Sequence, residues 1–189
     1  MNSNWYPWAP AMNGNDPQLY IKAYRHVHDL FVAQGATKVL WVWCINVDNV
    51  PSESWNQPGV LYPGDAYVDW IGLDGYNWGT GVSWGSWRSF TDLFSGAYAA
   101  GQSISPSKPI IIAELASSTT GGDKAAWIAD MFTTIPTRFP KLKAFNWFDV
   151  QKEQDWRIQS SQATSDQFSR GLKSTWVRSN GTAMSKVGK

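Results

Sequence analysis

The sequence predicts an α/β fold with a parallel sheet, and three observations carry that prediction. Four segments are nearly continuous in apolar, β-branched or aromatic residues, the pattern of strands covered on both faces. Helical periodicity fills the stretches around and between them. Capping residues mark where helices begin. Strands that alternate with helices imply right-handed crossovers and therefore a parallel sheet.

In chain order, the first element is a helix from Pro17 to Ala33, with Asp16 as N-cap and proline at the first helical position. The first strand runs from Lys38 to Ile45 (KVLWVWCI). A long loop, Val47 to Asp65, follows it and holds Pro51, Pro58, Gly59, Pro63 and Gly64. Loops after strands are where α/β folds build their sites. The second strand spans Val68 to Leu73 and leads to a helix from Trp87 to Ala100. The third spans Pro109 to Glu114, after which Gly121-Gly122-Asp123 introduces an Ala-rich helix from Asp123 to Thr134. A fourth strand, Leu142 to Phe148, and a last helix, Ser165 to Trp176, complete the pattern. Residues 1–179 read as one domain without repeats or linkers, and 180–189 as a polar tail that frays.

Composition narrows the partners. The formal net charge is +1, so no strong field captures nucleic acid or an anionic membrane. No run of about 20 apolar residues predicts a membrane span, and Asn2 to Pro10 lacks the basic start and apolar middle of an export signal. Cys44 is the single cysteine, which leaves no intrachain disulfide or cysteine metal cluster and reads as a buried thiol. His26 and His28, the two histidines, share one predicted helix, so neither a His-containing triad nor a His-rich metal site is expected. No metal or other cofactor is called for. The outlier is aromatic content: 15% of residues, 13 of them Trp, several in predicted loops. A flat ring with a polar handle suits the C–H face of a pyranose; the alternative for each is core packing.

Acidic and amide side chains recur at the C-terminal ends of the predicted strands: Asn46 and Asp48, then Asp74 with Tyr76 and Asn77, then Glu114, then Asn146 to Asp149. In a parallel barrel those ends share one rim. Glu114 is the sharpest case, a carboxylate where the apolar run Ile110-Ile111-Ile112-Ala113 emerges. Tyr76 is the expected hydrogen-bond donor that orients it as a nucleophile; a helix-capping or ion-paired carboxylate is the alternative. Asp74, within Gly72-Leu73-Asp74-Gly75-Tyr76, suits a structural turn or a supporting role in the site. Trp147 reads as a sugar platform, or as core filler whose indole N–H needs a partner.

Taken in order, Asn4-Trp5-Tyr6-Pro7-Trp8-Ala9, Trp41-Val42-Trp43, Tyr62-Pro63-Gly64-Asp65, Val68 to Tyr76 and Ile112-Ala113-Glu114 resemble glycoside hydrolase family 26. The likeness runs to about Trp147. It implies a partial (β/α)8 TIM barrel, roughly strands 5 to 8 with their helices, so that residues 1–179 are the C-terminal half of a catalytic domain. It also implies retaining, endo-acting hydrolysis of β-1,4-mannan-type polysaccharide, or of β-glucan or β-xylan. Glu114 becomes the nucleophile with Tyr76 as its hydrogen-bonding partner. Trp5 and Trp147 match aromatic positions that line the sugar site, and Asp74 and Asn77, at the end of the second strand, are expected beside them as substrate-binding residues.

The resemblance sets the family's acid/base glutamate in a His-Glu pair just ahead of the Met-Asn-x-x-Trp-Tyr stretch with which this sequence begins. The expectation is therefore a fragment without its general acid, weakly active or inactive alone, or acting as a non-catalytic carbohydrate-binding half-barrel. Its partners are then β-mannan or a related polysaccharide, a missing N-terminal half or a second copy of itself. Secretion of a full-length protein is implied as well.

Overall fold

The computed structural model describes residues 1–12, 14 and 16–178. Its elements are α1 (Pro17–Ala33), β1 (Val42–Asn46), β2 (Trp70–Asn77), α2 (Phe90–Ile104), β3 (Ile110–Ser117), α3 (Lys124–Arg138), β4 (Leu142–Trp147) and α4 (Gln162–Leu172). Short 3-10 turns at Ser54–Asn56, Pro58–Leu61 and Asp65–Tyr67 punctuate the long loop after β1. The four strands are parallel and lie in the order β1-β2-β3-β4, so the α/β alternation predicted above is the fold. The predicted tail, 180–189, lies outside the described residues.

Element boundaries shift for identifiable reasons. The first strand begins at Val42 and not at Lys38, because its partner supplies ladder positions only from Val42↔Trp70 to Asn46↔Asp74. β2 and β3 run three or four residues beyond the apolar segments that announced them. α4 starts earlier than its apolar pattern because Ser161 and Thr164 form a reciprocal capping box: each hydroxyl accepts the other residue's backbone N–H, at 3.2 and 3.0 Å. Asp123 caps α3 by accepting the Ala126 N–H at 3.0 Å.

The chain forms two compact units. Among the described residues, the first comprises Met1–Asp74 and Ala97–Ile111, the second Gly75–Gly96 and residues 112–178. In the first, Trp43, Ile45, Leu61, Ile71, Leu73 and Ile110 are fully buried. β2 meets α2 closely at Gly101, where a Cβ would press on Ile71 at 3.2 Å. Asn2 stitches the start of the chain to the end of β1: its side-chain oxygen accepts the Asn46 N–H at 2.8 Å and its amide donates to the Asn46 carbonyl at 3.0 Å.

In the second unit, Phe90, Leu93, Phe94, Ile112, Leu115, Ile128 and Met131 form the core, each worth about 1.5–3 kcal/mol on full burial. Helices α3 and α4 pack face to face where Gly171 lies under the Phe132 ring, and any Cβ at Gly171 would collide with that ring. Proline at 136 sits in the last turn of α3 and cannot donate to the carbonyl of Phe132, four residues back. The indole N–H of Trp176 donates to that carbonyl instead, at 3.1 Å, while its ring tilts against Phe132 at 6.0 Å. A side chain thus fills the hydrogen bond that proline removes.

That substitution of partners is testable by a double-mutant cycle followed by urea unfolding. Trp176→Phe keeps an aromatic ring but leaves the Phe132 carbonyl short of a donor, and lowers stability by about 1–2 kcal/mol. In a Pro136→Ala background the restored helical N–H takes over, and the same Trp176→Phe change costs measurably less. Equal cost in both backgrounds contradicts the assignment.

Candidate active site

Within the second unit, the hydroxyl of Tyr76 in β2 donates to Glu114 Oε2 in β3 at 2.6 Å. That length is typical of an O–H donor on a carboxylate, the stronger class of hydrogen bond. Strand alternation explains the pairing. In β2, Gly75 and Asn77 are buried while Tyr76 between them is half-exposed. In β3, Ile110, Ile111 and Ile112 are buried and Glu114 is exposed. The carboxylate therefore stands in solvent on an otherwise apolar strand, held by a neighbour that is itself held.

Tyr76 is fixed by three rings. Trp156 and Trp78 tilt against it at 5.1 and 5.8 Å, and Phe148 meets it edge-on at 5.8 Å. The Phe148 N–H donates to the Leu115 carbonyl at 2.9 Å, and the Asn146 amide donates to the Ala113 carbonyl at 3.3 Å, so the end of β4 is tied to β3 on either side of Glu114. Such edge and tilt contacts are worth about 0.5–1.5 kcal/mol each beyond burial, enough to confine the phenol to one orientation.

Trp156 is 1% exposed, and the segment that delivers it is pinned from below. Lys124 Nζ donates to the carbonyls of Asp155 and Arg157 at 2.9 and 2.8 Å. Trp147 Nε1 donates to the Trp156 carbonyl at 2.8 Å. Asp155 grips Arg157 through both carboxylate oxygens at 2.8 Å, which lowers the Asp155 pKa below its ordinary value. Burial pushes the Lys124 ammonium down to about 8, with Asp155 and Asp149 opposing the shift.

The residues expected in the site divide sharply. Tyr76 and Glu114 meet, although β3 continues past Glu114 to Ser117 and the glutamate is not its last residue. Asn77 is fully buried: its amide donates to Ser117 Oγ at 2.9 Å, its side-chain oxygen accepts the Arg88 N–H at 2.9 Å, and its carbonyl accepts the Ser118 N–H at 2.8 Å. Asn77 thus clamps β2 to β3 from the buried face. Trp147 packs edge-on against Trp127 and Phe168 at 6.1 and 5.6 Å with its N–H committed. The ring is partly buried. Trp5 and Asp74 belong to the first unit. There, Trp5 is 50% exposed and tilts against Tyr6 at 6.5 Å. Asp74 is half-buried, with its carbonyl accepting the Val47 N–H at 2.9 Å.

Sequence reasoning passed over Trp78, Phe148 and Trp156, the rings that orient Tyr76. For Trp78 and Trp156 the signal was the Trp-rich composition of predicted loops, which marks a class of residue without saying which ring goes where.

The sequence model of Glycosyl hydrolase family 26 matches residues 1–167. The chain belongs to that family. Endoglucanase H of Acetivibrio thermocellus is 51% identical over 165 residues, an alignment covering 85% of this chain and 18% of that protein. Mannan endo-1,4-beta-mannosidase of Bacillus subtilis is 28% identical over 161 residues, covering 80% of this chain and 37% of its own length. A solved structure, the catalytic domain of the endo-β-1,4-mannanase of Bacillus sp. JAMB-750, superposes with a TM-score of 0.62 at 16% identity, covering 89% of this chain and 47% of that one. The chain thus spans less than half the length of each of these matches, and its fold corresponds to part of a (β/α)8 barrel.

The Lys124 shift sets a pH dependence. Its folded pKa lies near 8, below the ordinary 10.5, so between those values the unfolded chain binds a proton that the folded chain does not, and stability rises with pH. The urea midpoint of the wild type is expected to increase from about pH 7.5 to about pH 9.5, with no such gain in Lys124→Gln. The window ends near 10, where buried Tyr20, Tyr24 and Tyr62, whose pKa values burial raises, begin to act in the opposite direction.

Proposed function

We propose that this family 26 glycosidase chain is the nucleophile-bearing part of a retaining, endo-acting hydrolase of β-linked polysaccharide. The Tyr76–Glu114 hydrogen bond carries the reading: it presents one carboxylate oxygen to a donor and leaves the other for chemistry. In the first step, the Glu114 carboxylate attacks the anomeric carbon as the glycosidic C–O bond breaks. The bonding pair leaves with the departing oxygen, which a general acid protonates. Water then displaces Glu114 from the glycosyl intermediate, and the sugar keeps its configuration. The Tyr76 hydroxyl orients the attacking carboxylate and takes up part of its charge as the sugar departs.

A retaining site needs a second carboxyl about 5–5.5 Å from the first. Neither other glutamate is proposed for it: Glu153 is engaged by Lys152 at 2.8 Å, and Glu53 flanks a 3-10 turn in the first unit. The acid is assigned to the remainder of a longer protein.

For the sugar, two readings stand side by side. β-1,4-mannan follows from the sequence resemblance. β-Glucan is favoured by one observation: the endoglucanase relative is 51% identical, the mannosidase 28%. Secretion of the full-length protein remains part of the proposal.

The test avoids any need for the acid. Dinitrophenyl deoxyfluoro-β-glycosides of mannobiose and cellobiose carry a leaving group that departs without protonation, and the fluorine slows hydrolysis of the intermediate. One of them is expected to add its glycosyl mass to the purified chain, with peptide mapping placing it on Glu114 and no adduct in Glu114→Gln. Tyr76→Phe is expected to slow labelling by about tenfold to a hundredfold, the rate equivalent of losing a charged hydrogen bond of about 1.5–3 kcal/mol. An adduct on another carboxylate, or none with either sugar, contradicts the proposal.

A further inference from the structure

We propose that Trp84, at the tip of the loop after β2, is a sugar-stacking platform for a β-linked hexose unit remote from the bond at Glu114. The proposal rests on the reading above for the class of ligand, but not on bond cleavage. Its basis is a large exposed ring on a loop that the protein holds in place.

Trp84 is 73% exposed, the highest exposure of any large apolar side chain among the described residues. It is not a loose side chain on a loose loop. Its ring meets Trp78 edge-on at 6.0 Å, Trp78 meets Trp156 edge-on at 5.0 Å, and Trp156 tilts against Tyr76 at 5.1 Å. An unbroken run of four rings therefore joins the exposed indole to the residue that holds Glu114. The backbone beneath it is clamped to the loop after β3, where the Thr80 N–H donates to the Thr120 carbonyl at 3.2 Å and the Gly85 N–H closes a turn on Val82 at 3.1 Å.

Close backbone approach makes the clamp specific. Gly79 has φ +62 and lies so near the Thr120 carbonyl that a Cβ there would overlap it. A Cβ at Gly81 would strike the Gln154 amide at 2.7 Å, and one at Gly85 the Gly79 carbonyl at 2.6 Å. Gln154 Oε1 in turn accepts the Ser118 hydroxyl at 3.1 Å. Glycines at such approaches forgo side chains to let strands of backbone touch. Exposing most of an indole forfeits hydrophobic stabilisation, and ordering the loop adds conformational cost. An aromatic face preset in this way loses little entropy when a ligand stacks on it. A sugar ring presents a C–H face for stacking and hydroxyls for the N–H edge.

The test measures affinity of the full chain by calorimetry, with β-1,4-mannohexaose and cellohexaose as probes and the corresponding disaccharides alongside. Trp84→Ala is expected to raise the Kd of the bound hexasaccharide by about tenfold. The disaccharide Kd is expected to move less than about twofold, and Trp84→Tyr to recover most of the hexasaccharide affinity. Unchanged hexasaccharide affinity in Trp84→Ala overturns the platform, as does the absence of saturable binding of either hexasaccharide to the wild type. Because calorimetry reads no covalent step, the outcomes separate. A tenfold Trp84 effect without labelling at Glu114 sinks the catalytic reading alone, and labelling with unaltered hexasaccharide affinity sinks the platform alone.

Discussion

The hydrogen bond from Tyr76 to Glu114 depends on one constraint, the fastening of β2 to β3 by Asn77. Its amide, side-chain oxygen and carbonyl are all used: on Ser117, on the backbone of Arg88 and on the backbone of Ser118. Those contacts tie the end of β2 to the end of β3. Tyr76 immediately precedes Asn77, and on the facing strand Glu114 lies three residues before Ser117. A one-residue slip of either strand would turn tyrosine or glutamate to the opposite face. The geometry of the Tyr76–Glu114 pair therefore leans on a buried amide.

A second layer supports the first from the helix side. Lys124 and Trp147 serve as scaffold, each donating to backbone carbonyls in the segment 155–157, and that segment sets Trp156 against the Tyr76 ring. Burying an ammonium this way is unfavourable, which is why its pKa falls. Two carbonyl acceptors and a tryptophan face at 5.8 Å compensate. Catalytic carboxylates need positioning within a fraction of an ångström. Packed rings and satisfied carbonyls position the Tyr76 hydroxyl on Glu114.

Much of this was legible in the sequence. Continuous apolar runs identify strands that are covered on both faces, so the four strands and the parallel alternation follow from composition along the chain. Glu114 stood out because a carboxylate ending an isoleucine run demands an explanation. The order of short motifs named the family. What periodicity cannot encode is where a strand continues past a polar residue: β2 runs on through Asp74 to Asn77, and β3 resumes its buried apolar pattern at Leu115 and Ala116 after Glu114. For the same reason Asn77 read as a polar group at a rim when it is a buried clamp. The contacts of Trp147 were equally hidden, since its ring lies among Trp127, Phe168 and Lys124, residues distant in sequence. The cap of α4 escaped notice because threonine at position 164 replaces the usual acidic or amide residue of the box.

The central claim is that Glu114, oriented by Tyr76, forms the covalent bond to sugar. A crystal structure of the chain after reaction with the deoxyfluoro-β-glycoside that labels it tests this most directly. The account predicts continuous density from one Glu114 carboxylate oxygen to the anomeric carbon, in the α configuration, with the Tyr76 hydroxyl still hydrogen-bonded to the carboxyl group. Sugar attached to a different side chain, or intact glycoside bound with Glu114 turned away from the anomeric carbon, would contradict it.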